Sequence, residues 1–287
     1  MMIKPEENVS LSRYTTFKIG GPAKYFFVAK NTDDLIEAVK FARDKKLSFF
    51  ILGGGSNLLV SDQGFDGLVV KTENQGLELD KNTVKAEAGA SLAKLVKLSI
   101  DSSLTGLEWA IGIPGTIAGA VRGNAGAFGK SISESIEKVE ILNGELEKVI
   151  LTRSDCCFDY RESIFKKSRD IILSVELKLE KGDKEKSKRT IKEHLRQRLN
   201  KNPTGYPSAG CIFKNPKPLA TGQMIDQCGL KGKKIGQAMI SSKHTNFIVN
   251  LGDAKAEDVI GLIKMIKESV KRKFKIDLEE EVQYLGF

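Results

Sequence analysis

Two glycine-rich stretches carry the chemistry most readily read from this sequence. Gly53-Gly54-Gly55-Ser56-Asn57 follows the apolar run 48–52 and offers consecutive backbone N–H groups free of side-chain obstruction, with two short polar side chains beside them. Such a concavity suits a pyrophosphate, although a triple glycine alone is equally well a tight turn. The second stretch is Gly112-Ile113-Pro114-Gly115-Thr116-Ile117-Ala118-Gly119. Its small residues let the backbone approach a large flat ligand, and Pro114 stiffens the approach. Asn124-Ala125-Gly126-Ala127-Phe128-Gly129 extends the same surface. Close helix packing is the competing account of Gly115, Gly119 and Gly123, because that spacing also allows it. Neither G-x-G-x-x-G nor G-x-x-x-x-G-K-[ST] occurs, so a nucleotide would have to be held in another way.

Metal chemistry finds little support. Cys156, Cys157, Cys211 and Cys228 show no C-x-x-C spacing, and His194 and His244 are the only histidines. The expectation is therefore no metal site and no disulfide framework.

The elements that must position these stretches follow from periodicity. A chain of 287 residues, 40% hydrophobic and 29% charged, folds and has room for two or three compact units. An extended run, 14–28, broken by Gly20-Gly21-Pro22, precedes a helix that Thr32 caps, with Leu35, Val39 and Ala42 inward, and a buried strand at 48–52 then delivers the glycine loop. Ser91 caps a second helix with Leu92, Leu95, Val96 and Ser99 inward. Seven glycines between Gly106 and Gly129 argue against a core element there. Asn143-Gly144 between two apolar runs signals a hairpin, and 171–179 alternates as a half-buried strand. A helix from about Asp253 buries Val259, Ile263, Ile266 and Val270 and ends in Lys271, Arg272 and Lys273, and the last strand, 278–285, returns to the first unit.

The net charge is +9, and residues 181–201 alone contribute nine basic against three acidic side chains. Ile191, Leu195 and Leu199 recur there every four residues, so this reads as a solvated helix with one narrow apolar stripe. A field for polyanionic nucleotides, or non-specific nucleic-acid binding, is the sharper alternative, but no aromatic residues interleave the charges to stack bases. The longest apolar stretch, 111–121, is about half a membrane helix, and the first ten residues lack the apolar core of a secretory signal. A cytoplasmic protein with no membrane or nucleic-acid partner is expected.

Beyond these local readings, the motifs taken in order resemble one family over nearly the whole chain. They are Thr16-Phe17-Lys18-Ile19-Gly20-Gly21-Pro22-Ala23, Leu52 to Val60, Gly112 to Thr116, Tyr160-Arg161-Glu162-Ser163, Pro207 to Pro216, His244 to Asn250, and Leu278-Glu279-Glu280-Glu281-Val282. The family is that of the UDP-N-acetylenolpyruvoylglucosamine reductases, MurB in common usage. The resemblance implies an α+β fold: a two-subdomain FAD-binding unit of the PCMH, or vanillyl-alcohol-oxidase-like, type, plus a C-terminal α+β substrate-binding domain. Residues 1–72 with 275–287 and residues 73–200 would form the two FAD subdomains, and 201–274 the substrate domain.

It further implies a monomer that holds FAD non-covalently, uses NADPH as reductant, and reduces the enolpyruvyl ether of a UDP-sugar in peptidoglycan precursor synthesis. Gly53, Gly54, Gly55, Ser56, Asn57, Leu58, Gly112, Pro114, Gly115, Thr116 and Gly119 would line the flavin. Tyr160, Arg161, Lys214 and Asn215 would contact the substrate, and Arg161, Cys211 and Glu281 match the catalytic positions. Arg161 would pair with the substrate carboxylate and spread the enolate charge, Glu281 would polarise the same carboxylate or orient Arg161, and Cys211 would deliver the proton to C2. Most members have serine at the position of Cys211. The departure is tolerable, because a thiol near its reference pKa of about 8.5 is mostly protonated at neutral pH and is a stronger acid than a hydroxyl. The chain after Tyr206 is short, which resembles the subclass lacking a tyrosine-bearing loop over the substrate. A flavin oxidase of the same architecture is the rival enzyme, although neither histidine lies in a glycine-rich segment where a covalent flavin link would be placed.

Overall fold

The computed structural model describes residues 3–216 and 219–287. The chain forms two compact units, one chiefly of Phe27–Gly54 and Val69–Arg198, the other of Glu6–Phe26, Gly55–Leu68 and Leu199–Phe287. The chain passes from one to the other within the strands Pro22–Ala29 and Phe65–Thr72, so the expected first part, 1–72, is shared between them.

The first unit is built on a five-stranded antiparallel sheet in the order Lys148–Thr152, Ile136–Leu142, Ile171–Lys178, Thr83–Glu87, Leu77–Asp80. The strand Ile171–Lys178, expected to be half-buried, is its centre and is buried along most of its length, having a neighbour on each side. Helix α1, Thr32–Asp44, begins one residue earlier in capping terms than expected: the Asn31 side chain, not Thr32, accepts the N–H of Asp34 at 2.8 Å. Helix α2, Leu92–Asp101, buries Leu92, Leu95, Val96 and Ser99 as its spacing predicts, without a side-chain hydrogen bond from Ser91.

The glycine-dense stretch departs from expectation, because it does hold core elements. Trp109, Ala110 and helix α3, Ile117–Arg122, place Ile117, Ala120 and Val121 in the hydrophobic core with Leu95, Val175 and Leu177. Glycines let the backbone come close, and the apolar residues between them fill the space so gained. The expected hairpin is present, but its loop runs over residues 143–147: Leu142 pairs with Lys148, and the Asn143 carboxamide accepts the N–H groups of Glu145 and Glu147. An Asx-type turn closes this loop. Helix α4, Lys184–Lys201, is the basic segment; it buries only Ser187, and Leu195 and Leu199 stay exposed.

In the second unit a four-stranded antiparallel sheet runs Ser208–Cys211, Phe247–Asn250, Ala238–Ile240, Lys234–Ile235. Helices α5, Thr221–Gln227, and α6, Ala256–Phe274, supply its core, with Val259, Ile263, Ile266 and Val270 of α6 facing Ile240, Ile248 and Ala238. Gln283–Leu285 pairs in parallel with Leu58–Val60. Where an extended run from Tyr14 was expected, Leu11–Tyr14 is a 3-10 turn and the strand begins at Pro22, because Lys18 adopts a positive φ and Thr15 Oγ1 donates to Ile19 O within the loop. Among the described residues, no helix is long and apolar enough to cross a membrane.

Asn250, 1% exposed, joins three segments of this unit: its Nδ2 donates to Phe17 O at 3.1 Å, and its Oδ1 accepts from Gly252 N and Ala254 N. Asn250→Ala should cost about 3 kcal/mol by stranding buried donors and a buried carbonyl. Urea unfolding checks this, with an unchanged m-value expected.

Candidate active site

In the first unit the two glycine stretches lie against each other. A Cβ on Gly54 would stand 2.6 Å from the Cα of Gly115, and one on Gly53 would stand 2.7 Å from Thr116 Oγ1. Backbone cannot give way as a flexible side chain can, so the first contact demands glycine. Among the described residues, the backbone hydrogen bonds of the turns and loops do not use Gly53 N–H or Gly54 N–H as donors. Thr116 caps α3 by accepting Gly119 N–H at 3.3 Å, and Gly115 O accepts Leu92 N–H at the start of α2. Pro114, Gly112 and Gly119 thus belong to one folded stretch joined to two helix starts.

Arg161 sits in a turn closed by the Asp159–Glu162 bridge, with φ of 56°, a conformation that a side chain larger than glycine's rarely adopts. Its Nη2 donates to Gly126 O at 2.7 Å and its Nη1 to Asn124 O at 3.4 Å, and the guanidinium lies 5.3 Å from the Tyr160 ring centroid. Asn124 in turn donates through Nδ2 to Asp159 O at 2.8 Å. The Asn124–Gly129 stretch, expected only as ligand surface, is therefore also the seat of Arg161. Chain separation of 35 residues hid this from the sequence. Residues held in such strained backbone recur at functional sites, because the surrounding contacts must over-determine them.

A pocket of about 490 Å³ in this unit includes no residue of either expected flavin loop. Its lining balances four lysines against three glutamates and an aspartate, so it offers no excess positive charge to a polyphosphate.

The second unit brings Cys211 and Glu281 onto neighbouring segments. Cys211 ends the strand Ser208–Cys211, half-buried and free of any disulfide, and the chain runs on beside Leu278–Val282. Glu281 N–H donates to Ile212 O at 2.8 Å, Lys214 N–H donates to Glu279 O at 2.9 Å, and Phe213 bridges Glu280. Thr16 Oγ1 donates to Ser208 O at 2.7 Å, and Asn246 holds Phe213 from both sides, accepting its N–H and donating to its carbonyl. The glycine loop continues here as Gly55, Ser56 and Asn57. A Cβ on Gly55, whose φ is 61°, would stand 2.1 Å from Tyr14 O.

Asn57 was expected at the cofactor, and its side chain has a structural tie: Nδ2 donates to Glu281 O at 2.9 Å, while Asn57 O accepts Gln283 N–H. Leu58 is 4% exposed and pairs with Gln283. Lys214, 9% exposed, forms an ion pair with Glu279 at 2.5 Å, and Asn215 Oδ1 accepts Thr221 N–H at 3.0 Å where α5 begins. His244 accepts Asn246 N–H on Nδ1 and tilts against Phe247. Burial, with the Lys201 charge as a lesser cause, holds its imidazole below the ordinary value. Cys156 is buried, and that burial pushes its thiol up to about 11, which leaves it inert.

Fold and glycine loops together define a flavoprotein: residues 23–149 match the family described as FAD binding domain. Residues 202–285 match the family described as UDP-N-acetylenolpyruvoylglucosamine reductase, C-terminal domain. The UDP-N-acetylenolpyruvoylglucosamine reductase of Caldicellulosiruptor bescii is 43% identical over 96% of this chain and 89% of that protein, and that of Caldanaerobacter subterraneus subsp. tengcongensis is 41% identical over 97% and 93%. The crystal structure of UDP-N-acetylenolpyruvylglucosamine reductase (MurB) from Thermus caldophilus superposes with a TM-score of 0.86 at 34% identity, covering 98% of this chain and 99% of that one. The chain belongs to the UDP-N-acetylenolpyruvoylglucosamine reductase family.

The residues present fit FAD, because the backbone at Gly53 and Gly54 is bare, close-packed from behind by Gly115 and Thr116, and lined with N–H groups that can receive a pyrophosphate. Gly54→Ala should weaken FAD binding about tenfold or more, equivalent to at least about 1.4 kcal/mol. Gly144→Ala, where a Cβ meets open space, should leave the affinity unchanged. Titration of FAD into each variant, read by flavin fluorescence, checks the pair.

Proposed function

We propose that this protein catalyses the FAD-dependent reduction of the enolpyruvyl ether of UDP-N-acetylglucosamine to UDP-N-acetylmuramate, with NADPH as reductant, as a cytoplasmic monomer in peptidoglycan precursor synthesis. The observation that carries the reading is family membership over 96% of the chain together with the Gly53–Gly54 cradle against Gly115–Thr116. Residues 1–72 with 275–287 and 73–200 serve FAD, and 201–274 serve the substrate. Bound FAD supplies hydride transfer from the nicotinamide to the vinyl ether.

The chain's own residues do the rest. Gly53, Gly54, Gly55 and Ser56 would receive the pyrophosphate, and the Gly112–Gly119 stretch would help hold the flavin. Arg161, with its guanidinium already oriented by Gly126 O and Asn124 O, binds the substrate carboxylate and spreads the charge that develops on it. Fixing the cation in advance avoids reorganisation when that charge appears. Glu281 acts on the same carboxylate, polarising it or orienting Arg161. Cys211 holds the proton that is delivered to C2. Tyr160, Lys214 and Asn215 contact the substrate.

Purified protein should show the yellow flavin spectrum, bleach with NADPH under nitrogen, and recover colour when the enolpyruvyl UDP-sugar is added. A bleached protein that the substrate leaves colourless would refute the reaction. Cys211→Ser should keep much of the activity while Cys211→Ala loses roughly a hundredfold or more, the scale of a general acid. Equal loss in both variants, measured as steady-state kcat, removes Cys211 from that role.

A further inference from the structure

Three carboxylates in succession, Glu279, Glu280 and Glu281, run beside Ile212–Lys214. Glu279 reaches Lys214 Nζ. Glu280, with its side chain 22% exposed, accepts Lys267 Nζ from α6 at 2.6 Å and the hydroxyl of Tyr284. Burial first, then the hydrogen bond to Glu280, push the Tyr284 phenol up, so it remains a donor to that carboxylate throughout the physiological range. Glu281 is fixed through its peptide, with its N–H on Ile212 O and its carbonyl receiving Asn57 Nδ2.

Glu280 faces Phe213 in an isolated antiparallel bridge, and the Glu281 and Val282 N–H groups then share Ile212 O as acceptor, so regular pairing, with its strict alternation of side chains, stops at Glu281. A carboxylate held at position 280 by Lys267 of α6 therefore restrains the direction in which position 281 leaves. Backbone bonds of Glu279 with Lys214 and of Glu281 with Ile212 and Asn57 fix the register, and the clamp on Glu280 restrains rotation of the segment about its own axis. The Lys267–Glu280 pair adds little to folding, because Lys267 is 44% exposed and the pair is screened. Its effect is geometric.

We infer that Glu280, clamped by Lys267 and Tyr284, is a positioning residue that fixes the direction from which Glu281 acts on the substrate. The inference rests on the role proposed above for Glu281. FAD-loaded protein reduced with dithionite, then mixed anaerobically with the enolpyruvyl UDP-sugar, reports the step directly as flavin reoxidation.

In Tyr284→Phe and Lys267→Met the limiting reoxidation rate should fall about tenfold to a hundredfold, the scale of lost alignment, with the half-saturating substrate concentration, flavin content and thermal midpoint near those of the unaltered protein. Lys267→Arg should restore most of the rate. Tyr284→Phe removes a single oxygen, so it carries the test if Lys267→Met fails to retain flavin. Unchanged limiting rates in variants that hold flavin overturn the clamp while leaving the proposed reaction standing. No reoxidation in the unaltered protein overturns the reaction, and the clamp with it.

Discussion

Gly54 approaches Gly115 so closely that it cannot carry a methyl group, and much of the first unit is arranged around that contact. Gly115 O receives Leu92 N–H, and Ile117 N–H and Ala118 N–H donate to Ala90 O and Ala88 O, so the second glycine stretch is stitched to the end of the strand Thr83–Glu87 and the start of α2. Ala88 N–H then donates to Leu173 O in the central strand. A bare backbone surface is thereby fixed to the most buried part of the sheet. Its value for binding follows from that rigidity, since donors held in place lose little freedom when a ligand arrives.

What the sequence made legible is what local spacing determines. Helix α6 follows its apolar period, and Val259, Ile263, Ile266 and Val270 are buried where that period puts them. The order strand, helix, strand, glycine loop at the N-terminal side holds, and the family motifs led to the fold class and to FAD. The misses are physical too. Glycine density in 106–129 argued against a core element, yet Trp109 and Ile117 are core residues, because glycine tells how near a backbone may come and not what lies between. Asn143-Gly144 marked a hairpin correctly, and the Asn143 carboxamide takes two N–H groups within a loop longer than that dipeptide. The seats of Arg161 on Gly126 and of Glu281 on Asn57 join residues 35 and 224 apart, distances over which no periodicity speaks.

Charge shows the same limit from another side. The local excess in 181–201 draws the eye to α4, which proves a solvated helix with Ser187 as its one buried residue. The lysines with the more consequential placements, Lys214 and Lys267, lie outside it and each meets one glutamate of the 279–281 run. Three adjacent like charges in one segment repel, and a neighbouring cation offsets that repulsion only where geometry lets it reach a particular carboxylate. Lysines from separate elements thus give the chemically identical Glu279 and Glu280 different surroundings. An acidic run that composition treats as uniform is differentiated by tertiary structure.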